Sequence, residues 1–219
     1  MTTPGDRPHF TEYPPELQRG ANIILAEIRR RMAGRSTPLL AALDGPSGAG
    51  KSTLADMIAG ELDAALIPSD DFFAANLTDA DWAARTPAER AADAIDWRRL
   101  RNEALEPLLA GRPARWHAFD FEAGLRPDGT YPMRADATRC EPSAVILLDG
   151  AYSTRPELAD LIDLSVLVDA PLAVRHQRLA AREDPAFLAA WHARWDAAEA
   201  YYFAQIRPRA AFDLVITIG

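Results

Sequence analysis

Nothing else in the 219 residues restricts the folding of this chain as tightly as Gly45-Pro46-Ser47-Gly48-Ala49-Gly50-Lys51-Ser52, followed by Thr53. The stretch reads G-x-x-x-x-G-K-S and comes directly after the apolar run Leu39-Leu40-Ala41-Ala42-Leu43. A loop of this kind turns its backbone N–H groups onto phosphate oxygens, and the positive end of the following helix points at the same place. The motif works only between a buried strand and a helix, so a strand at 39–43 and a helix from Ser52 to Leu62 are predicted. Gly45, Pro46, Ser47, Gly48, Ala49, Gly50, Lys51, Ser52 and Thr53 are the expected nucleotide-binding set. Lys51 is expected on the outer phosphates and the Ser52 hydroxyl on Mg²⁺. Lys51 is also the only lysine among 24 basic residues. An arginine-rich coding bias explains the other 23, but not why the one compact ammonium falls where phosphates must be gripped.

The rest of the composition narrows the field. With 48% hydrophobic and 26% charged residues the chain can fill a core, and its length suits a single domain, 1–219. A net charge of -8 argues against a nucleic acid partner, which usually meets a basic face. No run approaches the roughly 18 apolar residues of a membrane helix, so no membrane partner is expected. The N-terminus is polar and proline-rich, without an apolar signal core. The single cysteine, Cys140, cannot form an internal disulfide, which points to a reducing cytoplasm.

Along the chain, residues 1–15 read as a loose segment interrupted by Pro4, Pro8, Pro14 and Pro15. A leading helical segment, 16–37, carries Leu17, Ala21, Ile24, Leu25, Ile28 and Met32 at helical spacing. Ala65 to Pro68 reads as a short strand, 78–110 as helical with breaks near Thr86-Pro87 and Asp96-Trp97, and 111–142 as irregular. Val145 to Gly150 and Leu164 to Asp169 are buried strands. A helix from Leu172 to Arg182, a long helix from Phe187 to Ile206 and a last strand from Phe212 to Ile218 follow. Strands alternating with helices predict an α/β fold, a parallel sheet flanked by helices on both faces. Ligands of such sheets lie at the carboxyl ends of the strands, where Asp44, Asp70 and Asp149 all fall.

Several residues suit phosphoryl transfer, which needs in-line placement, charge neutralisation and an acceptor for the attacking hydroxyl's proton. Asp70 follows a strand that should end near the outer phosphate, so it is the candidate base and a candidate for the metal's water shell. Asp71 is the rival, and an ordinary turn cap is the plain alternative for both. Asp149 suits a metal-bound water, with a strand-ending turn as its plain alternative. Arg175, Arg178 and Arg182 fall at i, i+3 and i+7, able to close over a nucleotide or to form a solvated face. Phe72, Phe73, Trp97, Trp116, Phe119 and Phe121 suit either an acceptor pocket or the core. Trp191, Trp195, Tyr202 and Phe203 read as core packing or a subunit contact, which leaves a homodimer open. A GTPase is excluded because N-K-x-D needs a second lysine, and no L-S-G-G-Q signature of a transporter ATPase is present.

From Leu39 to Ile216 these motifs together resemble the uridine kinase and phosphoribulokinase group of P-loop kinases. "SDDFF" at 69–73 is similar to their D-S-F-Y, which implies that Asp70 is the catalytic acid and Phe73 an acceptor contact. "AIDWRRLRNEALEPLLAGR" at 94–112 is similar to the stretch before their acceptor site, implying an inward Asp96. "FDFEAGLR" at 119–126 is similar to Y-D-F-x-x-x-x-R, placing Phe119, Asp120 and Arg126 with the substrate. "VILLDG" at 145–150 is similar to V-I-L-x-E-G, with Asp149 in the metal set beside Ser52 and Asp70. "VDAPLAVRHQRLAARE" at 168–183 is similar to their lid, with Arg178 and Arg182 as catalytic arginines. The resemblance implies a helical and irregular acceptor-binding insertion at 74–142 and an Arg-bearing lid at 175–190. It also implies an ATP- and Mg²⁺-dependent transfer to a small-molecule hydroxyl, a nucleoside being the first candidate. This chain departs from the group at Phe73, where those kinases have tyrosine, and at Gly124, where they carry histidine. A pantothenate-like compound, a sugar or sugar acid, or an antibiotic alcohol are the alternative acceptors. A nucleotide-binding regulatory protein with little or no transfer is the alternative of another class.

Overall fold

The computed structural model describes residues 9–182 and 184–219; residues 1–8 of the N-terminal segment and Glu183 of the lid lie outside it. Its centre is the strand β1 (Leu39–Asp44), all six residues of which are buried. A strand covered on both faces needs a continuous apolar run instead of an alternating one, and Leu-Leu-Ala-Ala-Leu supplies it. Parallel neighbours lie on either side of it, β5 (Val145–Asp149) and β6 (Leu164–Asp169). Outside these are β2 (Ala65–Pro68), on β5, and β7 (Leu214–Thr217), on β6. The sheet order is therefore β2-β5-β1-β6-β7, parallel throughout.

The pleat divides the core in two. Leu39, Ala41 and Leu43 face helices α1 (Pro15–Met32) and α2 (Lys51–Leu62), packing with Ile24, Leu25, Ile28, Leu54 and Ile58. Leu40 and Ala42 face the other way, onto a layer built largely from residues 72–118 and the end of the long C-terminal helix. That layer contains α3 (Asp79–Ala84) and α4 (Pro87–Asp93), each opened by a threonine capping box. Thr78 Oγ1 accepts from Asp81 N at 3.1 Å while Asp81 accepts from Thr78 N at 2.8 Å, and Thr86 and Glu89 repeat the exchange. A third helical run follows without a gap: α5 (Trp97–Arg99), a π-helical stretch (Leu100–Leu105) and α6 (Glu106–Leu109). The C-terminal part of the chain supplies α7 (Leu172–Ala180) and α8 (Pro185–Tyr201), the latter continuing as a π-helical turn, Tyr202–Ile206.

Three expectations need correction. Residues 111–142 are not wholly irregular, because β3 (Ala114–Trp116) and β4 (Thr138–Cys140) pair as an antiparallel ribbon. Three-residue strands are too short to show a period. The leading helix runs Pro15–Met32, as the spacing from Leu17 to Met32 predicts, and the rest of the segment to 37 is a turn that includes Gly34 with φ +76° instead of helix. The helix carrying Arg175 and Arg178 ends at Ala180, so Arg182 lies past its end instead of on its face.

The strand ends are locked by one buried anion. Asp44 is fully buried, and instead of joining the carboxylates beside the phosphate loop it turns inward. Its Oδ1 accepts from Gly45 N at 2.8 Å and Tyr152 N at 2.9 Å. Its Oδ2 accepts from Thr154 N at 2.9 Å, Thr154 Oγ1 at 2.6 Å and Tyr202 Oη at 2.8 Å. A buried carboxylate is tolerated only when so fully satisfied. Asp44→Ala strands these donors, and thermal or denaturant unfolding should show a loss of about 3 kcal/mol or more; an unchanged midpoint would mean that water replaces the carboxylate without cost.

Candidate active site

Sheet register aligns the site. Leu43 and Pro68 both pair with Asp149, so the ends of β1, β5 and β2 lie level with one another. The next residues along these strands begin the phosphate loop after β1 and the Ser69–Phe72 3₁₀ turn after β2. Gly45 starts the loop at φ +152°, and a Cβ there would stand 2.0 Å from the Val168 carbonyl oxygen. Only glycine lets the loop leave the sheet so close to β6.

Within the loop, Lys51 is buried and its Nζ donates to the carbonyls of Gly45 at 2.8 Å and Pro46 at 3.1 Å. Ser47 is held from above by Glu199 of α8, whose Oε1 accepts from Ser47 N at 3.0 Å and Oγ at 2.6 Å. Burial raises the Glu199 pKa, against the pull of Ser47, Lys51 and Arg175. Arg175 and Arg178 of α7 reach the outer side of the loop, donating to Ser47 O at 3.2 Å and to Gly48 O and Ala49 O at 3.3 Å each. Ser52 is exposed at the start of α2, and Thr53, next along that helix, is half-buried.

The acidic groups fall into distinct environments. Asp149 is buried beside the Ser52 side chain, and its Oδ1 is left without a partner. Burial pushes its carboxyl up to about 6; Lys51 and Ser52 pull it down, and Asp70 and Asp56 add to the rise. Asp70 opens into the cleft while protein crowds it on its other sides. That crowding raises its pKa, with Lys51 and Arg182 opposing. Asp71, its neighbour, accepts a 2.7 Å hydrogen bond from Trp116 Nε1, and the Asp71 carbonyl binds Phe119 N at 2.8 Å. Asp71 is thus tied to the β3–β4 ribbon, and Asp70 alone of the pair faces the cleft.

That cleft is a cavity of about 550 Å³ running from Ser47 and Asp70 to Arg182. Phe73, Phe121, Tyr152, Leu179, Leu188, Trp191, Trp195 and Glu199 complete much of its wall. Phe73 is part of its wall, 5.6 Å from the Trp195 ring and 5.1 Å from Phe119. Trp191 and Trp195 therefore do more than pack the core, and with Glu199, Tyr152, Leu179 and Leu188 they are wall residues that sequence reasoning missed. The helical spacing of the two tryptophans gave no sign of a pocket, since a core stripe has the same period.

Other candidates stand apart from the cavity. Asp96 caps α5, accepting from Arg99 N at 3.1 Å. Phe119 is buried behind Phe73 and Phe121. Asp120 accepts from Glu122 N at 3.1 Å and Ala123 N at 3.2 Å, closing a turn, and Arg126 is exposed in the same loop. A second cavity of about 460 Å³ lies beyond Glu199, between Pro46, Arg175, Asp196, Phe203 and Arg209.

Trp195 is 8% exposed and meets Phe73 and Trp82 edge-on. Trp195→Ala should cost about 3–5 kcal/mol in denaturant unfolding, whereas Trp191→Ala, at a half-buried position, should cost markedly less. Equal losses would show that both rings are core and neither is primarily wall.

Residues 40–204 match the family model described as an AAA domain. Among curated proteins none matches the sequence. Solved structures share the fold at low identity. A protein from Bacillus stearothermophilus described as a possible uridine kinase superposes with a TM-score of 0.67 at 20% identity, covering 92% of this chain and 99% of that one. A protein from Silicibacter sp. TM1040, described as a candidate fructose transport system kinase, gives 0.63 at 22% identity over 90% and 98%. The YGR205w protein gives 0.62 at 14% identity over 94% and 95%. The motif resemblance to uridine kinases thus holds at the level of the fold. With its phosphate loop, its parallel sheet and this match over most of its length, the chain belongs to the AAA domain family and has a P-loop kinase-like fold.

Proposed function

We propose that the protein is an ATP- and Mg²⁺-dependent kinase that phosphorylates a hydroxyl of a small molecule, with a nucleoside as the first candidate. The observation carrying this reading is the placement of Asp70: it is open to an aromatic-walled cavity and within electrostatic reach of Lys51 and Arg182. The fold of structures described as kinases supports it, as does a cavity volume within the ordinary range for small ligands. The free cysteine, Cys140, fits the cytoplasmic setting that belongs to this reading.

The residues present fit the implied groups. Asp149 Oδ1 is a buried acceptor without a partner, beside the Ser52 hydroxyl, an oxygen pair that suits a hard divalent cation. Mg²⁺ bound there with ATP would supply charge neutralisation at the outer phosphates. Lys51 would exchange its two loop carbonyls for phosphate oxygens. Asp70 would orient the acceptor hydroxyl and take its proton, while Arg182 would balance charge on the other side of the cleft. Trp191, Trp195 and Phe73 would hold the acceptor and keep water from the transfer point.

The test is ADP formation from Mg·ATP against a panel of nucleosides, pantothenate, sugars and sugar acids, followed by variants with the acceptor that responds. Asp70→Asn should bind ATP normally and lose about 100-fold or more in transfer. Asp71→Asn should keep most of it, because that carboxylate is engaged by Trp116. Lys51→Ala should weaken both ATP binding and transfer. Full turnover in Asp70→Asn would move the base to Asp71 or remove that role altogether. No acceptor-dependent ADP from any compound despite tight ATP binding would overturn the reading in favour of a nucleotide-binding regulator.

A further inference from the structure

Helices α7 and α8 meet through a cluster that phosphoryl transfer does not use. His176 lies on α7, and His192 and Asp196 lie one turn apart on α8. The His192 Nδ1 is 3.0 Å from Asp196 Oδ1, and His176 Nε2 is 3.9 Å from Asp196 Oδ2. The two imidazole rings are 4.5 Å apart between centroids, and one ligand atom from each residue lies within 4.8 Å of the others. His176 Nε2 is out of contact with water and has no hydrogen-bond partner. A ring nitrogen left unpaired beside a second imidazole and a carboxylate lacks what buried polar atoms normally have.

We propose that His176, His192 and Asp196 form a binding site for a borderline transition-metal ion of the Zn²⁺ class, which fastens α7 to α8. Two imidazole nitrogens and one carboxylate oxygen are the donors that such ions select, in contrast to the all-oxygen sites of Mg²⁺. In a tetrahedral site with bonds of about 2.0–2.1 Å, ligand atoms stand about 3.3 Å apart. The 3.0 and 3.9 Å approaches are to different oxygens of Asp196, and the three donor atoms lie within 4.8 Å of one another, so holding an ion requires the side chains to close in on a single carboxylate oxygen. The i, i+4 spacing puts His192 and Asp196 on one face of α8, and His176 closes the site from the opposing helix.

The consequence of such a site lies in what α7 covers. The helix rides directly over the phosphate loop: a Cβ on Gly48, whose φ is +78°, would come within 2.7 Å of the Arg175 carbonyl oxygen. Arg175 and Arg178 donate to the loop carbonyls from the same helix. An ion held by the neighbouring His176 therefore restrains the segment whose position sets the outer wall of the loop. Occupancy of this site does not depend on the proposed kinase activity.

The test uses the full-length protein stripped of metal, in saturating Mg²⁺ so that the Ser52–Asp149 region does not compete. Zn²⁺ competition against a chromophoric chelator should give one equivalent bound with a dissociation constant in the micromolar range or tighter. Co²⁺ should produce the visible absorption of a low-coordinate nitrogen- and oxygen-ligated site. His176→Ala and His192→Ala should each weaken Zn²⁺ at least about tenfold, since even outer-shell partners of metal ligands cost that much. Both should unfold near the wild-type temperature when metal-free. Hydrogen exchange across Leu172–Ala180 should slow on adding Zn²⁺ to wild type and not to either variant. Absence of one-equivalent binding, or binding unchanged in both histidine variants, would overturn the site. Binding without slowed exchange in α7 would overturn its role as a fastening.

Discussion

The Asp44 carboxylate is the point on which the two halves of the site depend. It terminates β1, and from within the core it holds the first amide of the phosphate loop, the chain after β5 and the Tyr202 hydroxyl at the end of the long C-terminal helix. One of its donors is Tyr152, which adopts φ +64°, a conformation that costs a non-glycine residue about 1 kcal/mol or more. The hydrogen bond from its backbone N–H to Asp44 and edge packing against Tyr202 at 4.9 Å keep it there, and Tyr152 in turn walls the cavity. A single buried carboxylate thus couples the phosphate loop to the wall of the cavity. Its burial is tolerable because five donors converge on it.

Adjacent carboxylates with the same intrinsic chemistry acquire different roles from their surroundings. Asp70 and Asp71 share a 3₁₀ turn, in which successive side chains point in different directions. Trp116, delivered by the short β3–β4 ribbon, claims Asp71 and leaves Asp70 to the cleft. Glu199 has a third role, bridging the loop at Ser47 and forming the partition between the two cavities. Its place on α8 means that any shift of that helix is felt by the phosphate loop through two hydrogen bonds.

How much of this could be read beforehand follows from the range of the interactions involved. The phosphate loop and the flanking strand and helix were visible because glycine geometry and burial on both faces act within a dozen residues. The capped breaks at Thr78 and Thr86 are equally local. The Asp44 bracket was not visible, because four of its five donors come from residues 108 to 158 positions away along the chain. At a strand end, an inward and an outward aspartate look the same in sequence. Trp191, Trp195 and Glu199 were missed for a related reason: a helix stripe shows which residues share a face, not whether that face meets a core or a cavity. The lid arginines were read as one face, yet the helix stops at Ala180 and separates Arg175 and Arg178, on the loop carbonyls, from Arg182 in the cleft.

The fate of the γ-phosphate tests the account most directly. Protein incubated with γ-labelled Mg·ATP and a pool of small alcohols should place the label on an organic phosphate ester, resolved by mass spectrometry and phosphorus NMR, with little released as inorganic phosphate. That result would show a cleft that admits an acceptor hydroxyl at Asp70 and excludes water. Label appearing only as inorganic phosphate, at the same rate with and without the pool, would contradict it and make the cavity a regulatory ligand site beside a simple nucleotide hydrolase.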